Sequence, residues 1–175
     1  MLLKTDRLTI RNFKISDADD YLLNIGSNKL VAQYMLYPLI TTIEEARDMI
    51  NYFIEQDSFK NYHNYAIEYD NRVIGTIGIN INKKHKFVEL SYNLCDLYWG
   101  LGFMSEALRS FINYIFNELD IECIYVEVMS SNERSINLLN KFNFNLDGCV
   151  RGKYNNRYGK RVNVNVYTLL KEENF

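Results

Sequence analysis

One stretch, Tyr98-Trp99-Gly100-Leu101-Gly102-Phe103-Met104-Ser105-Glu106-Ala107-Leu108, constrains this 175-residue chain more than any other. An alternating apolar run from Phe87 to Leu94 precedes it. Leu108, Phe111, Ile112, Ile115, Phe116 and Leu119 follow at helical spacing, so the stretch reads as a strand, a glycine loop and a helix start. Two glycines let a backbone turn sharply and approach a ligand closely, and the first turn of a helix offers N–H groups without intrahelical partners. Together they make an anion site suited to a phosphate or diphosphate. The other reading is a tight turn in which glycine only relieves strain, and a lone Gly-x-Gly does not separate the two. A dinucleotide fingerprint would need a third glycine where Ser105 stands, and the Gly-Lys-Ser/Thr of a P-loop is absent.

Length and composition bound what surrounds this loop. A chain of this size is ordinarily one domain, here residues 1–175, with one core. Hydrophobic residues make up 47%, charged residues 24%, and there is a single proline, as in a soluble globular protein without linkers. Charge arrives too early at Lys4, Asp6 and Arg7 for a signal peptide, and no apolar run approaches the ~18 residues of a membrane span, which points to a cytoplasmic protein with no membrane partner. A net charge of −2 argues against direct nucleic-acid binding. Cys95, Cys123 and Cys149 read as buried thiols rather than a disulfide framework, and neither they nor His63 and His85 have metal-ligand spacing, so no metal is expected.

In chain order, Leu8 to Arg11 reads as a first strand. Ser16-Asp17-Ala18-Asp19 reads as the capped start of a short helix, and Thr42-Ile43-Glu44-Glu45 as a capping box before a stripe of Ala46, Met49, Ile50, Phe53 and Ile54. Period-two runs at Tyr65 to Tyr69 and Val73 to Ile81, around Asp70-Asn71-Arg72, predict a hairpin, and Gly75 and Gly78 mark a bulge or close packing in it. Ile121 to Met129 is another strand. Asn132 is placed to cap the following helix with Ser135 one turn on, where both polar groups face a ligand lying across the helix start or serve as caps alone. Val162, Val164 and Val166 alternate with polar residues and pair with the Leu146 to Arg151 run as a final hairpin.

The loop resembles the acyl-CoA loop of the GNAT N-acetyltransferase superfamily, Gln/Arg-x-x-Gly-x-Gly/Ala, here Trp99-Gly100-Leu101-Gly102-Phe103-Met104, with the central glycine the strict match. Tyr-Trp-Gly-x-Gly-Phe-x-Ser-Glu-Ala-Leu is similar to the branch that contains the ribosomal-protein N-terminal acetyltransferases (RimJ/RimL type), although Met104 stands where that branch usually has Ala. Thr5-x-Arg7-Leu8-x-Ile10-Arg11 resembles that branch's opening. Asn132-x-x-Ser135 through Asn143-Phe144 resembles the superfamily's second cofactor signature, with Asn143 in place of glycine. The likeness extends from Thr5 to Leu170.

It implies an α/β (α+β) GNAT fold: a mixed, mostly antiparallel sheet of about seven strands with about four helices, splayed at the strand before the glycine loop. It implies acetyl-CoA as cofactor, held by Asn93, Leu94, Trp99, Gly100, Leu101, Gly102, Phe103, Met104, Ser105, Asn132, Ser135 and Leu138, with Asn93 and Leu94 pairing strand-like with the pantetheine arm. The residues Val31 to Ile40, including Tyr34 to Tyr37, help to wall the acceptor site in this likeness, or else pack simply as an apolar loop. Acetyl transfer to an amine needs a base and a stabilised leaving thiolate. Glu89 is the first candidate base, or else an outward strand residue in water, and Glu127 is the second candidate. The superfamily's usual tyrosine acid falls at Leu139, so the proton donor becomes Ser135, with Tyr154 or water as substitute. The acceptor is a primary amine, either a protein N-terminus or a small molecule. Arg151, Lys153, Arg157, Lys160 and Arg161 either recognise an acidic partner or form a solvated hairpin. The rival of another class is a non-catalytic acyl-CoA sensor, to which the departures at Met104, Leu139 and Asn163 lend support; a third option is an ATP- or NAD-binding α/β protein. The β-rich C-terminal part is compatible with a homodimer.

Overall fold

A computed structural model describes residues 1–36, 38–57 and 61–174. The central sheet is built of β1 (Leu2–Lys4), β2 (Thr9–Asn12), β3 (Tyr62–Tyr69), β4 (Arg72–Asn82), β5 (Phe87–Leu94), β6 (Cys123–Met129), β7 (Asn145–Asn155) and β8 (Arg161–Leu170). Their spatial order is β1-β2-β3-β4-β5-β6-β8-β7. Five α-helices accompany it: the single turns α1 (Ala18–Tyr21) and α2 (Lys29–Ala32), then α3 (Ile43–Asp57), α4 (Phe103–Glu118) and α5 (Glu133–Lys141). The strand beyond the expected seven is β1, too short to show a period, and the additional helix is one of the single turns.

Local chemistry sets the element ends where the sequence placed them. The β3–β4 hairpin turns on Asp70 and Asn71, at φ 49° and 59°, the left-handed pair of a two-residue turn. At the start of α3, Thr42 Oγ1 accepts from the Glu45 N–H (3.2 Å) while Glu45 Oε2 accepts from the N–H of Thr41 (2.7 Å) and of Thr42 (3.2 Å). Asn143, at φ 59°, ends α5 in the left-handed conformation that glycine would otherwise supply. Three expectations change. Ile54 is exposed rather than part of the α3 stripe, Cys149 is exposed rather than buried, and Ser16 caps nothing. Asp17 instead accepts from the Lys14 N–H (2.8 Å) and from Arg11 (2.8 and 2.9 Å), which also reaches Glu68 (2.7 Å).

The sheet separates two apolar clusters because neighbouring strand residues point to opposite faces. Ile67, Ile74 and Val88 join Leu108, Phe111, Ile115 and Leu139 under α4 and α5. Ala66 and Val73 join Phe13, Tyr21, Ile50 and Phe53 under α1 and α3.

Among the described residues six of the seven neighbouring strand pairs are antiparallel, and the exception positions the site. β5 and β6 are parallel and paired only at Phe87↔Cys123, Val88↔Ile124 and Glu89↔Tyr125. Beyond Glu89 the strands part: β5 stays on β4 as far as Leu94↔Gly75, and β6 stays on β8 as far as Met129↔Val164.

Gly75 and Gly78 hold this seam together. A Cβ at Gly75 would lie 2.5 Å from the main-chain oxygen of Asn93, and one at Gly78 would lie 2.5 Å from the side-chain Oδ1 of Asn64. Close packing is thus the role of both, and a register shift at Ile67/Glu68 also lies opposite Gly75. Gly75→Ala is expected to cost about 1–3 kcal/mol in urea unfolding, because a backbone must move, and Gly78→Ala less, because a side chain can turn away. Equal costs would contradict this.

Candidate functional site

The glycine loop leaves its backbone amides open. Gly100 and Gly102 adopt φ 77° and 81°, are exposed, and Gly102 caps α4 without a side-chain hydrogen bond. The first intrahelical bond is Glu106 N–H to Gly102 O (3.0 Å), so the N–H groups of Phe103, Met104 and Ser105 have no acceptor within the helix. Leu101 is exposed, whereas Phe103 and Met104 are buried in the core beneath α4. The Met104 side chain therefore packs in the core and does not crowd the loop.

What shapes the loop is an anchor that joins two separated motifs. Glu106 accepts from Thr5 Oγ1 (2.5 Å), from the Arg7 N–H (2.8 Å) and from Arg7 Nε (2.6 Å). Arg7 also donates to Leu101 O (3.1 Å) and stacks its guanidinium 4.1 Å from the centre of the Phe103 ring. The Thr5-x-Arg7 and Ser105-Glu106 signatures are one structural unit. On the other side, Arg134 lies 4.6 Å over Trp99, and Lys141 Nζ donates to Ser105 Oγ (3.2 Å).

The split between β5 and β6 begins beyond Glu89 and runs to the end of β5 at Leu94, beside this loop. Lys86 O accepts from Glu122 and Cys123 N–H, and Cys95 N–H donates to Ile74 O. In the alternating ladder the main chains of Leu90, Tyr92 and Leu94 therefore face the split, while those of Ser91 and Asn93 face β4. The Trp99 indole N–H takes the Leu94 carbonyl (2.8 Å). Of the two residues expected at this edge, Leu94 keeps an N–H toward the gap. Asn93 instead turns its side chain to Thr76 Oγ1 (2.6 Å), and Tyr92 is the edge residue that sequence reasoning missed. At the head of α5, Asn132 Oδ1 accepts from the Ser135 N–H (3.3 Å), Ser135 Oγ lies 2.7 Å from Tyr92 Oη, and Leu138 is half-buried against the core. Burial, only partly opposed by Ser135, pushes the Tyr92 phenol up to about 12. Leu139 is fully buried in the core.

On the opposite face a cavity of about 280 Å³ opens against the same split. Glu89 and Ser91 of β5, Tyr125, Glu127 and Met129 of β6, Tyr154 of β7 and Val164 of β8 line it, with Tyr34 and Leu36 from the connection after α2. Tyr37 lies outside the described residues. The two carboxylates differ sharply. Glu127 accepts from Tyr125 Oη (2.6 Å), Tyr154 Oη (2.8 Å) and Lys153 Nζ. Burial pushes its pKa up, but these donors outweigh burial and hold it below the ordinary carboxylate value. In return Tyr125 is pushed up to about 12 by burial and by Glu127. Glu89 is exposed, and among the described residues its one hydrogen bond is a long one from Asn80 Nδ2 (3.4 Å). Of the basic residues of the last hairpin, Lys153 is spent on Glu127 and Arg161 on Gly152 O (2.6 Å), while Asn163 Oδ1 accepts from the Gly152 N–H (2.9 Å). Asn163 thus secures the strand irregularity of β7. Among the described residues no cluster of three potential metal ligands occurs, and no helix is long and apolar enough to cross a membrane.

A sheet parted beside an exposed glycine loop, with an acidic cavity across the gap, is the architecture of acyl transferases. Residues 7–145 match the acetyltransferase (GNAT) domain. The chain is 34% identical to the uncharacterized N-acetyltransferase p20 of Bacillus licheniformis, over 98% of this chain and 97% of that one. It is 32% identical to the uncharacterized N-acetyltransferase YoaA of Bacillus subtilis, over 97% of each. Its fold superposes with a TM-score of 0.90 on RimL, the ribosomal L7/L12 alpha-N-protein acetyltransferase solved with coenzyme A, covering 99% of this chain and all of that one at 21% identity. The protein belongs to the GNAT family of N-acetyltransferases.

The anchor on Glu106 has a pH signature. Burial pushes this carboxylate up, but the hydroxyl of Thr5 and the N–H groups of Arg7 outweigh it and hold it below its ordinary value. A depressed folded-state pKa stabilises above the unfolded value of ~4.3, and that contribution disappears as pH falls through the folded one. Glu106→Gln is expected to cost about 1–3 kcal/mol at neutral pH in urea unfolding, with the gap to the parent protein closing in acid below pH ~4. A gap independent of pH would contradict the anchor.

Proposed function

We propose that the chain transfers the acetyl group of acetyl-CoA to a primary amine by direct attack in a ternary complex. The donor's diphosphate rests on the free amides from Gly100 to Ser105, beside Trp99, its amide-bearing arm runs along the Tyr92–Leu94 edge past Asn132, Ser135 and Leu138, and the amine enters from the Glu89 cavity. The observation that carries this reading is that the open loop and the acidic cavity lie on opposite faces of one split, so that two substrates can meet through it.

Within this reading Glu89 is the base that receives the ammonium proton, directly or through water. An amine with a pKa between ~8 and ~10 is mostly protonated at neutral pH and cannot attack until that proton is gone. Glu127 is already occupied by three donors and acts as structure: held by Lys153, it lines the cavity with Tyr125 and Tyr154. Tyr154 therefore orients the acceptor rather than supplying a proton, since its hydroxyl is committed to Glu127. The acceptor class is a cationic amine with an apolar neighbour, which suits Tyr34, Leu36, Met129 and Val164. A protein N-terminus and a small amine both satisfy that description, and a cytoplasmic setting would supply either.

Release of free thiol from acetyl-CoA, followed with N-terminal peptides and polyamines, tests the activity. Turnover with at least one acceptor is expected, together with thermal stabilisation by CoA and none by ATP or NAD. Binding without turnover across the panel would instead favour an acyl-CoA sensor. Glu89→Gln is expected to lower kcat/KM about 10²–10³-fold while leaving CoA-induced stabilisation unchanged. An unaffected rate would remove Glu89 from the mechanism.

A further inference from the structure

Two hydroxyls face each other where the strands part. Tyr92, on the β5 edge, and Ser135, in the first turn of α5, lie 2.7 Å apart, and neither hydroxyl has another hydrogen-bond partner among the described residues. Two O–H groups that share one hydrogen bond leave one proton without a protein acceptor. A phenol is a far stronger acid than an alcohol and hence the better donor, so Tyr92 donates and the uncommitted proton is that of Ser135. The tyrosine is held by its strand, and the Ser135 main chain by its N–H bond to Asn132, so the directions open to the spare O–H are narrowed before any ligand arrives.

We infer that Tyr92 is a positioning residue for acetyl transfer: by occupying Ser135 as an acceptor, it aims the serine O–H at the sulfur of the departing coenzyme A. This rests on the reading in which the donor's thiol end lies at the split. As the amine nitrogen bonds to the acetyl carbon, the carbon–sulfur bond breaks and sulfur leaves with the electron pair. The ammonium proton has by then passed to Glu89 or water, the second proton that nitrogen sheds on becoming an amide passes to solvent, and the Ser135 hydroxyl hydrogen-bonds the thiolate. Relative acidity decides that the pair stabilises charge rather than protonating it. A CoA-type thiol has a pKa of ~8.5, and the buried tyrosine stands at about 12, so a proton drawn from the pair would run uphill. The thiolate takes its proton later, from solvent. Ser135 is thereby a hydrogen-bond donor to the leaving group rather than its general acid.

The test reads the thiol itself. The ultraviolet absorbance of thiolate is titrated for CoA bound to the wild type, Tyr92→Phe, Ser135→Ala and the double variant, with CoA affinity measured by calorimetry. The wild type is expected to lower the bound thiol's pKa below ~8.5. Tyr92→Phe is expected to return it toward that value, to lower kcat about tenfold and to leave the CoA dissociation constant within about twofold. The double variant is expected to match Ser135→Ala alone, because Tyr92 acts only through the serine. A thiol pKa that is the same in wild type and Tyr92→Phe, or a further loss from Tyr92→Phe in the Ser135→Ala background, overturns the inference while acetyl transfer stands. A wild type that binds no CoA overturns acetyl transfer with it.

Discussion

The parting of β5 and β6 after Glu89↔Tyr125 is the constraint on which the rest of the molecule turns. Parallel strands that begin side by side would ordinarily continue to pair, since unpaired buried amides and carbonyls are costly. Here β5 is drawn the other way. Gly75 lets Asn93 approach β4 more closely than any side chain would allow, and the Trp99 indole takes the Leu94 carbonyl that a neighbouring strand would otherwise use. β6 is held equally firmly by seven residue pairs with β8. The gap is thus the product of two well-paired half-sheets diverging, and it leaves strand-edge groups whose natural partner is an amide-bearing ligand.

Around this gap the chain divides its labour by face. The α4 and α5 side carries the open loop, the Arg134–Trp99 stack and the Tyr92–Ser135 pair. The other side carries a lightly bonded carboxylate, Glu89, beside a saturated one, Glu127. The contrast between the carboxylates is environmental, not chemical. Three donors, one of them an ammonium, stabilise the charged form of Glu127 and so weaken it as a base. The Thr5/Arg7/Glu106 anchor then fixes the loop's distance from the gap by tying the start of α4 to the strand connection ahead of β2.

The departures from the superfamily pattern each acquire a physical cause. Met104 and Leu139 are core residues under the sheet, so their side chains answer to packing. Asn143 replaces glycine because a left-handed φ is the requirement there and asparagine tolerates it better than most residues. Asn163 closes the Gly152 irregularity of β7. None of these substitutions removes an element of the split or of the open loop.

Sequence alone determined most of the elements and their order, missing β1 and one single-turn helix. The period-two runs, the Thr42/Glu45 capping box, the Asp70-Asn71 turn and the apolar stripe of α4 are local patterns, and their physics acts over a few residues. It also located the glycine loop and the Asn132/Ser135 helix start, because left-handed glycines and helix caps leave residue-level signatures. What only the tertiary structure decided is which side chains meet. Tyr92 faces Ser135 across 43 positions of sequence, Glu106 holds Arg7 across 99, and Lys153 crosses 26 to saturate Glu127. Those pairings depend on the order of strands in the sheet and on where one parallel pair stops, and no local pattern encodes either.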